Sequence, residues 1–157
     1  MNTHSIIGSW NKNRASWQAV YVHHNGCPSG VGATLFQCTQ FQWSASLTAL
    51  SKRILSVKQG FQMFRRTGHT NILEDSYPLT ENQSRYLDTD KAYWDVGYAY
   101  LIDPWNNCLT VLYRHVPDNL WEDSTNSTWL KIGDYSFDAI GPDWEQLDQW
   151  RPPQPEP

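Results

Sequence analysis

Tyr93-Trp94-Asp95-Val96-Gly97-Tyr98-Ala99-Tyr100-Leu101-Ile102-Asp103 runs into Pro104, turns at Asn106-Asn107, and returns as Cys108-Leu109-Thr110-Val111-Leu112-Tyr113-Arg114-His115-Val116. Both runs are rich in aromatic and β-branched residues, which favour the pleated, half-buried surface of a strand. Pro104 stops the first run, and two asparagines tolerate the tight connection that follows. Together they predict an antiparallel hairpin late in the chain.

Upstream, Trp17 to His23 (W-Q-A-V-Y-V-H) is a further strand that ends at Asn25-Gly26, a pair suited to positive φ. Pro28-Ser29-Gly30 then opens a helical pattern over 30–42, with Ser29 as its cap. A second helix is expected over 46–56, with Leu47, Leu50, Ile54 and Leu55 on one face, Lys52 and Arg53 off it, and Gly60 closing it. Met1 to Ser16 reads as polar and irregular, pinned by Trp10. Asn71-Ile72-Leu73 suggests a short strand before Tyr77-Pro78. Trp129 to Phe137 gives a strand that breaks at Gly133-Asp134, and Trp144 to Trp150 a helical turn packed back on the sheet.

Helices early and hairpin strands late make an α+β fold, an antiparallel sheet with two helices packed on one face. One domain over 1–150 is expected. The tail, 151–157, holds four prolines in seven residues and reads as a disordered extended end.

The composition suits a packed core of ordinary size. Of 157 residues, 39% are hydrophobic, and nine Trp, eight Tyr and five Phe add area. A buried aromatic removes roughly 150–250 Å² from water, so one small core cannot hide them all. Several are expected at the surface, as a rim or a binding face. The three cysteines, Cys27, Cys38 and Cys108, are an odd count in a chain that needs no disulfides, which points to a reducing, cytoplasmic setting. No signal peptide is read in Met1 to Ser9, and no apolar stretch is long enough to cross a bilayer.

Charge is divided unevenly. Residues 1–73 carry seven basic residues and no acid, while residues 74–157 carry five basic and sixteen acidic residues, a net of −11. Either the halves neutralise each other internally, or one of them faces a charged partner. Two faces are candidates for protein binding. The acidic one interleaves carboxylates with aromatic anchors: Asp88, Asp90, Tyr93, Trp94 and Trp121. The basic alternative is Lys52, Arg53, Lys58, Arg65 and Arg66, beside Phe61 and Phe64. Direct nucleic-acid binding is not expected from five cations on a background of −4.

Catalytic and metal signatures are missing. His23, His24, Cys27 and Cys38 have no paired ligand spacing, and adjacent histidines in a strand point to opposite faces, so no metal and no cofactor are expected. No Gly-x-Ser-x-Gly elbow occurs, and Asp88, Asp90 and Asp95 show no more than sequence proximity. No enzyme is expected. The alternative from another class is a small-ligand or nucleotide-binding protein, or an enzyme, that uses the 25–32 turn, with Gly30-Val31-Gly32, as an anion nest and Arg65 or Arg66 as clamp.

Tyr21-Val22-His23-His24-Asn25-Gly26-Cys27-Pro28-Ser29-Gly30-Val31-Gly32 resembles a pattern of uncharacterised bacterial, prophage and plasmid-borne accessory proteins that reads about His-Trp-Asp-Gly-Tyr-Pro-x-x-Val-Gly. His23, Gly26, Pro28, Val31 and Gly32 match it. His24, Asn25 and Cys27 replace Trp, Asp and Tyr, and the pattern therefore has no thiol to offer a metal. The resemblance implies a phage- or mobile-element-type protein in the cytoplasm of a bacterial host. It would act by stoichiometric binding to a host protein or ribonucleoprotein, as an inhibitor of a defence system such as CRISPR–Cas.

Overall fold

The structure, a computed structural model, describes residues 3–14, 16–41, 46–57, 60–64, 77–78, 96–115 and 128–153. The hairpin forms as its sequence predicts. β5 (Val96–Asp103) and β6 (Cys108–His115) pair antiparallel, Tyr98 opposite Tyr113 and Asp103 opposite Cys108. Asn107 takes φ 52°, the left-handed conformation that asparagine tolerates better than most residues. The remaining strands are β1 (His4–Trp10), β2 (Trp17–Val22), β3 (Phe61–Met63), β4 (Tyr77–Pro78) and β7 (Thr128–Ser136), in the order β4-β3-β2-β1-β5-β6-β7. The α+β class holds, but the sheet is mixed rather than wholly antiparallel. β1 lies parallel to β5, and β2 parallel to β3.

The difference comes from β1, a segment whose sequence suggested irregular chain. His4-Ser5-Ile6-Ile7-Gly8-Ser9-Trp10 holds few aliphatic residues, yet Ser5 to Ser9 are all buried because β2 flanks the strand on one side and β5 on the other. Gly8 is required there, since a Cβ at this position would collide with the Gln18 carbonyl oxygen on β2. β7 carries a bulge. Val111 pairs with Gly133 and Leu112 with Lys131, which leaves Ile132 as the extra residue next to the expected break.

Both faces of the central strands are buried. Ile7, Val20, Val22, Tyr98, Tyr100, Ile102, Leu109 and Val111 share one cluster with Val31, Leu35 and Phe36 of the first helical segment and Leu50 and Ile54 of the second. Ile6, Trp17, Ala19, Tyr21, Ala99, Leu101 and Leu112 form a second cluster on the opposite side, with Trp10 and Trp129 packed against it. Burial on both faces explains why Tyr98 to Ile102 reads as a continuous apolar run instead of a strict alternation.

The first helical segment opens with a π-helical turn, Pro28–Gly32, and continues as α1 (Ala33–Phe41). Cys27 is its N-cap, without a side-chain cap bond, so Ser29 lies inside the first turn and not at the cap. α2 (Leu47–Leu55) is capped by Ser46, whose Oγ accepts the Ala49 N–H at 3.1 Å. Gly60, with φ 79°, ends the connection that follows. Asp143 caps α3 (Trp144–Leu147), and Trp144 packs on Phe36 and Tyr135. No described helix is long and apolar enough to cross a membrane.

Candidate functional site

The β5–β6 turn carries Trp105, 56% exposed, and the turn after β7 carries Ile140, 98% exposed; these are the two large hydrophobic residues left exposed among those described. The two turns are joined. The Phe137 N–H donates to the Asn107 carbonyl at 3.1 Å, and Asn107 Nδ2 donates to Asp138 Oδ2 at 2.8 Å. Ser136 braces the second turn through its carbonyl and its Oγ, which accept the N–H groups of Ala139 and Asp138.

Beneath Trp105 stands a carboxylate with a full set of donors. Asp103 is buried, and its Oδ1 accepts the backbone N–H groups of Trp105 and Asn106, each at 3.0 Å. Its Oδ2 accepts Asn106 Nδ2 at 2.8 Å and Arg14 Nε at 2.9 Å. Arg14 also pairs with Asp134, NH2 to Oδ1 at 3.0 Å, and its guanidinium lies 5.4 Å from the Trp10 ring centroid. Lys131 Nζ reaches Asp134 Oδ2 at 3.0 Å, and Thr110 Oγ1 donates to Asp134 Oδ1 at 2.5 Å while accepting Trp10 Nε1 at 2.9 Å.

Burial alone would raise the Asp103 carboxyl, but hydrogen bonds from Asn106 and Arg14 outweigh it and hold the group below the ordinary carboxylate range. Asp134 goes further. Burial opposes ionisation there too, yet hydrogen bonds from Thr110, Arg14 and Lys131 bring it to about 2. Burial, reinforced by the nearby Asp134 charge, pushes the Cys108 thiol up. Both carboxylates are ionised and saturated with donors, so they hold a shape and are not placed to move protons. Beside the clamp, Asn13 takes φ 63° and Arg14 φ 53°, two successive left-handed residues.

The other end of the sheet holds the segment with the family-like pattern. Asn25 takes φ 56°, as its turn predicts. The Gly26 carbonyl accepts the hydroxyl of fully buried Tyr100 at 2.6 Å. The first N–H groups of the helical turn are satisfied within the chain. Ser29 N–H donates to Asp148 Oδ1 at 2.9 Å and its hydroxyl to Oδ2 at 2.6 Å. Gly30 N–H goes to the Cys27 carbonyl, and Val31 N–H to that of Asn25. A carboxylate of this chain therefore sits where the anion nest would receive a ligand. Nearby, His4 Nδ1 lies 2.6 Å from the His23 carbonyl, which can only accept, so that ring nitrogen carries the proton. The His4 and His23 rings stack at 4.7 Å, and Tyr21 OH meets His23 Nδ1 at 3.0 Å. Among the described residues no group of three or more His, Cys, Asp or Glu could hold a metal ion.

Of the acidic face, Asp88, Asp90, Tyr93, Trp94 and Trp121 lie outside the described residues, as do Lys58, Arg65 and Arg66 of the basic face. Lys52 and Arg53 are described, exposed in the last turn of α2. The Trp105 turn and its clamp escaped the sequence reading. The signal available was a tryptophan within Pro104-Trp105-Asn106-Asn107, a turn with no core to enter. No family model, curated protein or solved structure matches this chain.

Proposed function

We propose that the chain works by stoichiometric protein binding, with the paired turns of Trp105 and Ile140 as its anchor. The observation that carries this reading is the rigid display of an exposed tryptophan. Five hydrogen bonds within its own turn and to the next are formed before any partner arrives, so little ordering entropy remains to oppose association. Tryptophan in such a position is the residue type that most often dominates an interface. The activity suits an accessory protein of a phage or other mobile element that blocks a host component, such as a CRISPR–Cas complex. The anion-nest alternative has less support, because Asp148 already takes the Ser29 donors.

Expression of the chain in a bacterium with an active CRISPR–Cas system should restore plaquing by a targeted phage. Trp105→Ala should abolish that rescue while remaining folded by circular dichroism. Rescue that survives Trp105→Ala, or a partner bound in catalytic rather than equimolar amounts, removes the basis of the proposal.

A further inference from the structure

We infer that Asn25 is a site of slow self-modification, conversion of its side-chain amide to a carboxylate, and that the contacts of Gly26 with β1 and β5 set its rate. This chemistry is independent of any partner. Asn25-Gly26 is the one Asn-Gly pair in the chain. Asparagine followed by glycine is the pair most open to the reaction, because no side chain shields the nitrogen that attacks. The fold demands both residues. Asn25 stands at φ 56°, which asparagine adopts more readily than most side chains. A Cβ at residue 26 would meet the Thr3 carbonyl oxygen at 2.7 Å and the Ser5 nitrogen at 2.8 Å. The labile pair is thus a consequence of how this turn packs on β1.

In the reaction the Gly26 amide nitrogen gives its proton to a base and attacks Cγ of Asn25. The new N–Cγ bond closes a cyclic imide, and the side-chain nitrogen leaves as ammonia. Water then opens the ring, leaving aspartate, or isoaspartate with the main chain routed through Cβ. Asn25 is exposed, so its amide is open to the reaction. The nitrogen is not. Gly26 is buried, its N–H donates to the Thr3 carbonyl at 2.8 Å, and its carbonyl accepts the Tyr100 hydroxyl at 2.6 Å. The Asn25 carbonyl accepts the Val31 N–H at 2.9 Å, so the peptide plane between the two residues is held on both edges. A base reaches the Gly26 proton only when this clasp opens, the same event that limits exchange of that amide with water.

The test incubates the full-length chain at mildly alkaline pH, folded and in urea, and then follows the tryptic peptide 15–52, in which Asn25 is the one asparagine. Mass spectrometry reads the amide-to-acid change, and isoaspartyl-specific methylation identifies the product. Conversion should be at least about tenfold slower in the folded chain than in urea, and the Gly26 amide should be protected from hydrogen exchange in the same sample. Tyr100→Phe should raise the folded-state rate by about fivefold to thirtyfold, the ratio expected when a buried hydrogen bond is lost. Asp103→Ala, at the far end of the sheet, should leave it nearly unchanged. No conversion in urea overturns the site. Folded-state conversion at the urea rate, or an unprotected Gly26 amide, overturns the clasp. So does an unchanged rate in Tyr100→Phe, or an acceleration by Asp103→Ala that matches it, since global unfolding would then be the gate.

Discussion

At one end of the sheet Asp103 is buried under its turn and answers four donors, one of them a guanidinium. At the other, half-buried Asp148 grips two donors of a single residue, Ser29. Both contacts join distant parts of the chain, and each brings an acid from the second half to a residue of the first. They differ in surroundings. A desolvated carboxylate cannot be left without its partners, whereas water readily replaces a partner lost at the surface. The first end therefore behaves as a fixed platform for Trp105, and the second as a latch that can open at modest cost. Among the described residues, the halves neutralise each other at Arg14, while Asp138, Asp143 and Glu145 are exposed.

The sharpest way to break this contrast is Asp103→Ala. It strands the Trp105 and Asn106 donors and leaves Arg14 with Asp134 as its carboxylate partner, and should cost about 2–3 kcal/mol, the loss expected when hydrogen bonds to a buried charged group are removed. A shift in the urea midpoint at unchanged slope measures it. A loss below about 1 kcal/mol would mean the platform is not desolvated.

Acid titration addresses the same end. Asp103 and Asp134 have folded pKa values below the unfolded ones, so the unfolded chain takes up protons first as pH falls. Their contribution is complete above pH of about 4 and is lost toward about 2, the folded value of Asp134. Tm followed from pH 5 to pH 2 should drop through that window, and Asp134→Asn should flatten the drop.

At the latch end, Tyr100→Phe leaves the Gly26 carbonyl unpaired inside the core and should cost about 1–2 kcal/mol. The wild-type phenol should also resist ionisation at alkaline pH until the fold opens, because burial pushes it well above its ordinary range. Asp148→Ala should cost less, about 0.5–1 kcal/mol, since water can reach the freed Ser29 groups. If Asp148→Ala matches Asp103→Ala, the distinction between platform and latch fails. The smallest effect is expected from Trp105→Ala, within about 0.5 kcal/mol by the same urea titration, because an exposed ring stabilises little in the free molecule.

Much of the architecture follows from local pattern. The β5–β6 hairpin, the Ser46-capped α2, the Asn25 turn and the bend in β7 each depend on residues within a few positions, where periodicity and turn chemistry act. Ser29 shows the limit of that information. Its type suits a cap, yet its donors are taken by a residue 119 positions away.

What sequence alone determines here is the α+β class and the surplus of aromatic and acidic residues that must find a surface. The tertiary structure decided that Ser5 and Ser9 are buried in a central strand, because the neighbours that bury them stand on β2 and β5. It also decided that Trp17 is buried and Trp105 is not, though both are tryptophans beside strong strands. Burial is a property of what packs opposite a residue. For Arg14 with Asp103, 89 positions apart, and for β1 against β5, that neighbour is specified by closure of the whole chain and by no local pattern.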